Sequence, residues 1–146
     1  MANQVITTVI GKSDVKTIVH VYLESDGNEG ELINYVIVDP AVLYPELSIQ
    51  DQRANRHIVT QLWYSLSWFD VLLSFDELNP VPSWQITRDT DTYVDLRYFG
   101  GISDRYPSPK DKTSTDRLGR VLITTKDFAP LGSTGTIVIE LKRGMT

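Results

Sequence analysis

The sequence has 146 residues, 41% of them hydrophobic, no cysteine and a formal net charge of −5. A chain of this length suits one domain that removes roughly two-thirds of its unfolded surface from water without a disulfide. Its acidic balance suits solubility rather than wrapping a polyanion, so general nucleic-acid binding is disfavoured. The lack of cysteine fits synthesis in a reducing compartment, and excludes neither secretion nor a particle surface. The opening MANQVITTVIG has neither the basic region nor the apolar core of a secretory signal, and no run approaches a membrane span in length. A soluble protein made in a cytoplasm is expected.

In chain order, Val5 to Ile10 and Val15 to Leu23 are rich in Val, Ile and Thr, and Gly11-Lys12-Ser13-Asp14 between them has turn chemistry. The spacing predicts a hairpin. Val19, Val21 and Leu23 alternate with Ile18, His20 and Tyr22, giving one aliphatic face and one mixed face. Ser25 to Gly30 is a turn cluster, and Leu32 to Asp39 reads as a third strand, apolar on both parities, that could extend the hairpin into a meander. Asp39-Pro40 ends it, because proline lacks an amide donor and restricts its predecessor. Pro40 to Asn55 reads as a connection crossing between sheets, with room for one helical turn at Ala41 to Tyr44.

The densest apolar run is His57 to Leu78, around which the other strands are organised. It reads as two strands and a tight corner. In the first, Ile58, Leu62, Tyr64 and Leu66 share one parity and Val59, Trp63 and Ser65 the other, as in a central or covered strand. Ile58, Leu62 and Ser65 also fit a helical spacing, but the aromatic and β-branched content favours a strand. In the second, Val71, Leu73 and Phe75 point to one side. Asn79-Pro80-Val81-Pro82 is a rigid break. Trp84 to Thr87, Tyr93 to Tyr98, Arg120 to Thr125 and Thr136 to Lys142 are further strands, and Gly100-Gly101 reads as a bend or bulge where a side chain would clash. Many short strands at near-regular spacing, with no long amphipathic helix, argue an all-β fold: a single antiparallel β-sandwich, jelly-roll-like, over residues 1–146 with a long loop at 103–118.

Nothing in these residues specifies a reaction. His20 and His57 are far apart and lack metal-ligand spacing, and Asp26, Asn28 and Glu29 lack the ligand pattern of a calcium loop. Asp70 with Asp76, or Asp89 with Asp91, could supply an acid and a base, but such carboxylates more often end strands and fill turns. There is no cysteine nucleophile, no GxSxG elbow and no phosphate-cradling loop. No residue is therefore assigned a catalytic, cofactor or metal role, and a non-enzyme is expected. Trp63, Trp68 and Trp84, with Tyr64 and Phe69, could stack on sugar rings if exposed. Core packing or a subunit interface explains them more cheaply, and Trp63 and Trp68 exposed together would mark a contact patch. The loop at 103–118 carries Arg105, Tyr106, Lys110, Lys112 and Arg117 among acidic residues, and could become ordered by lying across a neighbouring subunit.

The segments VHVYLESDGNEGEL, YVIVDP, LWYSLSWFDVLLSFD, YVDLRYFGGI and FAPLGSTGTIVIELKR together resemble the small β-rich structural proteins of tailed bacteriophages, including phages of marine and cyanobacterial hosts. The resemblance spans most of the chain and brings no catalytic motif with it. It implies a virion protein made in the host cytoplasm. Such a protein would be a capsid cement or decoration subunit, or else a neck or tail adaptor, bound to the major capsid protein or to neighbouring virion subunits. It also implies a homo-oligomer of closed symmetry, a trimer where it occupies capsid three-fold positions. Protein contacts are expected at Arg105, Tyr106, Lys110, Lys112, Arg117, Trp63 and Trp68, with Met1 to Thr8 as an outward-reaching arm. A carbohydrate-binding module using Trp63, Trp68 or Trp84 is the alternative.

Overall fold

The computed structural model describes residues 3–13, 15–27, 30–43, 57–75, 84–88, 91–102, 120–128 and 132–143. Its strands are β1 (Gln4–Lys12), β2 (Lys16–Glu24), β3 (Tyr35–Val38), β4 (His57–Leu66), β5 (Asp70–Phe75), β6 (Trp84–Ile86), β7 (Asp91–Asp95), β8 (Val121–Lys126) and β9 (Thr134–Arg143). One helical turn, Pro40–Leu43, follows β3, and a 3-10 turn, Arg97–Phe99, follows β7. Among the described residues no helix is long and apolar enough to cross a membrane.

The strands form two sheets, β1-β2-β9-β4-β7 and β3-β8-β5-β6, with every pair antiparallel. Leaving β1 aside, the orders β2-β9-β4-β7 and β3-β8-β5-β6 are those of a jelly roll, in which the chain changes sheet at nearly every connection. β1 is an addition at one edge. The expected all-β, jelly-roll-like sandwich is what the chain forms.

The alternation read along the strands fixes the faces. Val19, Val21 and Leu23 of β2, Ile137, Ile139 and Leu141 of β9, and Val71, Leu73 and Phe75 of β5 point between the sheets, where each is 2% exposed or less. Each such side chain contributes about 1.5–3 kcal/mol of burial. β4 supplies Val59, Leu62 and Leu66 to the same core, although Val59 and Leu62 differ in parity. A bulge between Val59 and Gln61 inserts one residue and re-aims the strand, so both side chains turn inward.

Two expectations are corrected. β3 does not continue a meander from β2: it lies in the other sheet against β8, and β2 takes β9 as its second neighbour. The turn cluster after Glu24 carries the chain across, with Gly27 and Gly30 at φ 82° and 85°. The N-terminal segment is not an arm from Gln4 onward, because Gln4 to Val9 pair in register with Glu24 to Val19. The connection after Pro40 does cross between sheets, from β3 to β4, and the corner at Ser67 to Phe69 crosses back into β5. Trp68 sits at that corner with φ 75°, held in part by the Ser67 N–H donating to the Thr134 carbonyl at 3.0 Å.

Gly100 and Gly101 form the expected bend, but a side chain would clash only at Gly101, since a Cβ at Gly100 meets nothing within 4 Å. The Gly101 N–H donates to the Leu96 carbonyl at 2.7 Å, and Ile102 exchanges two backbone hydrogen bonds with Val59 at 2.8 and 2.9 Å. The strap from Leu96 to Ile102 is thereby laid along the bulged stretch of β4.

Candidate functional site

The outward face of the five-stranded sheet carries the most chemistry. Register places Thr8, His20, Val138, Trp63 and Tyr93 in one row across β1, β2, β9, β4 and β7. Trp63 and Tyr93 stack with ring centroids 5.1 Å apart and planes 30° apart, and remain 37% and 47% exposed. A cross-strand aromatic pair of this kind stiffens the sheet and leaves a flat apolar surface to water.

One row along, the same face turns polar. Gln61 lies opposite both Asp95 and Glu140. The Tyr93 hydroxyl donates to Gln61 Oε1 at 2.5 Å, and Gln61 Nε2 donates to Glu140 Oε2. Lys16 Nζ sits 3.3 Å from Glu140 Oε1, and the Thr60 hydroxyl lies within 3.4 Å of the same oxygen. Glu140 is only 6% exposed although it points away from the core. Both of its oxygens already accept hydrogen bonds, so it organises its neighbours rather than standing free as a base.

Beside it opens a cleft of about 410 Å³ lined by Val15, Lys16, Thr60, Arg97, Gly100, Glu140 and Lys142. The guanidinium of Arg97 hydrogen-bonds the Asp95 carboxylate, with Nη2 2.9 Å from Oδ2, and this holds the Asp95 carboxyl down to about 2. The arrangement is a rigid apolar and polar surface with a cationic rim. Among the described residues no group of three His, Cys, Asp or Glu is placed to hold a metal ion.

The residues expected from sequence fall into different places. Trp63 lies on this face. Trp68, 59% exposed, lies at the β4–β5 corner instead. Its carbonyl accepts from Arg88 Nη1 at 3.2 Å. Arg88 also chelates Asp70, with Nε to Oδ1 and Nη2 to Oδ2 both at 3.1 Å, and reaches Asp127 Oδ2 at 2.6 Å. The Arg88 hydrogen bonds lower the Asp70 carboxyl from its ordinary value. Asp70 is thus half of a structural ion pair tying together the corner, the end of β6 and the end of β8. Trp84 is half-buried and packs against the core, as does Tyr64, and Phe69 is fully buried. Arg105, Tyr106, Lys110, Lys112 and Arg117 lie outside the described residues, as do Asp76 and Asp89. Sequence reasoning missed Gln61, Tyr93, Glu140 and Arg88. Glu140 and Gln61 look like ordinary solvent-facing strand residues until the register places them side by side, with Thr60 and Tyr93 hydrogen-bonded to them.

No protein-family model and no curated protein matches the sequence. Among solved structures, a RmlC-like cupin family protein with a double-stranded β-helix fold, from Methanocaldococcus jannaschii, is similar to this chain over 96% of its length and 80% of the cupin's, at 7% identity and a TM-score of 0.32.

Proposed function

We propose that this chain is a non-enzymatic virion structural protein: a capsid cement or decoration subunit that stabilises a shell by binding the major capsid protein or neighbouring virion subunits. A neck or tail adaptor would use the same contacts at another position. The observation carrying the reading is the distribution of exposed apolar groups. Ile6, Ile10, Val15, Trp63 and Tyr93, all 37–61% exposed, belong to the five-stranded sheet and its first turn, with Val9 at its rim, while Ile33, Tyr35, Val42, Trp68 and Tyr98 are exposed elsewhere. An exposed apolar surface of this kind on a rigid sandwich suits a protein interface. The fold itself does not choose, since jelly rolls serve capsids, lectins and cupins alike; the surface and the resemblance of the sequence to phage structural proteins favour assembly.

Quantitative mass spectrometry of particles from the encoding phage tests this. A copy number near parity with the major capsid protein is expected for a cement subunit, and one far below parity for a neck or tail adaptor. Absence from the particles would overturn the virion reading. The exposed Trp63–Tyr93 stack beside Gln61 would then stand as a glycan-stacking surface.

A further inference from the structure

Among the described residues the two sheets have four edges: β1, β7, β3 and β6. Three are short, at 5, 4 and 3 residues for β7, β3 and β6, and β7 also carries Asp91 and Asp95. β1 differs in both respects. It is 9 residues long and has no charged residue before Lys12 at its end. Natural edges are usually blunted by charge, proline or brevity, because a free row of N–H and C=O groups templates another strand. Residues Gln4 to Val9 lack each of these protections: Thr7 and Thr8 are exposed, and Ile6 and Val9 are 52% and 44% exposed.

Beside β1 the sandwich has an open apolar mouth of about 340 Å³, lined by Thr7, Val9 and Val19 on one side and by Val36, Ile37, Val38, Asp39, Val42 and Leu43 on the other. Lys12 Nζ donates to the carbonyl of Leu43, one of the lining residues. Thr7 and Val9 therefore belong to both the free edge and the mouth.

We infer that β1 pairs with β1 of a second copy, antiparallel about a two-fold axis at Thr7, so that the two five-stranded sheets join into one and each copy covers the other's mouth. The occupant follows from charge and geometry. Two chains of net charge −5 repel, and β1 is the long edge on which they can meet without opposing carboxylates. An axis perpendicular to the sheet keeps inward residues beside inward residues only when paired numbers share parity. The axis at Thr7 sets Thr7 against Thr7, Val5 against Val9 and Ile6 against Thr8, all before the bulge between Val9 and Gly11. The contact is isologous and closes as a dimer. This names the contact for the assembly reading above and rests on that reading for its biological setting.

Sedimentation velocity of the full chain tests the pairing, and a dimer is expected. Thr7→Lys sets two ammonium groups opposite each other at the axis and is expected to raise the dimer dissociation constant about tenfold or more, with the far-UV circular dichroism unchanged. Thr7→Cys is expected to give a covalent dimer on mild oxidation, because opposed antiparallel Cα atoms lie about 4.5–5.5 Å apart, within disulfide reach. The chain has no other cysteine to confuse the result. A wild-type chain that stays monomeric at all concentrations, or a dimer untouched by Thr7→Lys and not cross-linked by Thr7→Cys, overturns the inference. A monomer that is nonetheless abundant on particles overturns this contact while sparing the assembly reading. A dimer sensitive to Thr7→Lys but absent from particles does the reverse.

Discussion

Gly101→Ala is expected to lower stability by about 3 kcal/mol, a fall of roughly 10 °C in melting temperature for a chain of this size. Two costs combine. Gly101 has φ 82°, a region where a Cβ is strained. An added Cβ would also lie 2.6 Å from the Val59 carbonyl oxygen and 2.6 Å from Ile58 Cγ2. That oxygen cannot retreat cheaply, because it accepts the Ile102 N–H at 2.9 Å. Gly100 supplies the control: it has φ 78°, but a Cβ added there would meet nothing within 4 Å. Gly100→Ala should therefore cost only the conformational part, about 1 kcal/mol. Thermal unfolding of the two variants separates the effects, and equal costs would mean that the strap from Leu96 to Ile102 does not lie against β4 as described.

Phe69→Ala should cost about 3–5 kcal/mol, a large share of the stability of an ordinary domain. Phe69 and Phe128 are both fully buried, with ring centroids 4.6 Å apart. They pack the β4–β5 corner onto the segment that follows β8. Room for Phe69 is made by Gly135, where a Cβ would come within 2.8 Å of the Phe69 ring and 2.5 Å of Leu66 Cδ2. Gly135→Ala should therefore destabilise the wild type and be less costly beside Phe69→Ala, a coupling of about 1 kcal/mol in a double-mutant cycle. Denaturant unfolding measures it. Strict additivity would show that the two positions do not share space.

Much of this architecture was legible in the sequence, for local reasons. Period-two alternation fixes which residues of β2, β5 and β9 face the core, and turn residues mark the hairpin, the corner and the glycine bend. The sheet assignment of β3 was not legible, since a strand apolar on both parities says nothing about which neighbour it takes. Nor was the β4 bulge, because one inserted residue exchanges the parities on either side of it and makes Val59 and Leu62 both core residues. The outward site was the least legible. Glu140 alternates with aliphatic residues like any solvent-facing carboxylate, and its burial comes from Gln61 and Thr60, about 80 residues away in the chain. The free edge was visible only in outline: QVITTVIG reads as a strand anywhere, and its lack of charge matters only once it is known to lie at the rim.

Hydroxyl-radical footprinting of the chain, free and on particles, tests most directly whether the five-stranded sheet is the assembly surface. Trp63 and Tyr93 should be oxidised in the free protein and protected severalfold on the particle. Tyr35, 41% exposed on the opposite sheet, should change little and serves as the internal reference. Equal oxidation of Trp63 and Tyr93 in the two states would contradict the account.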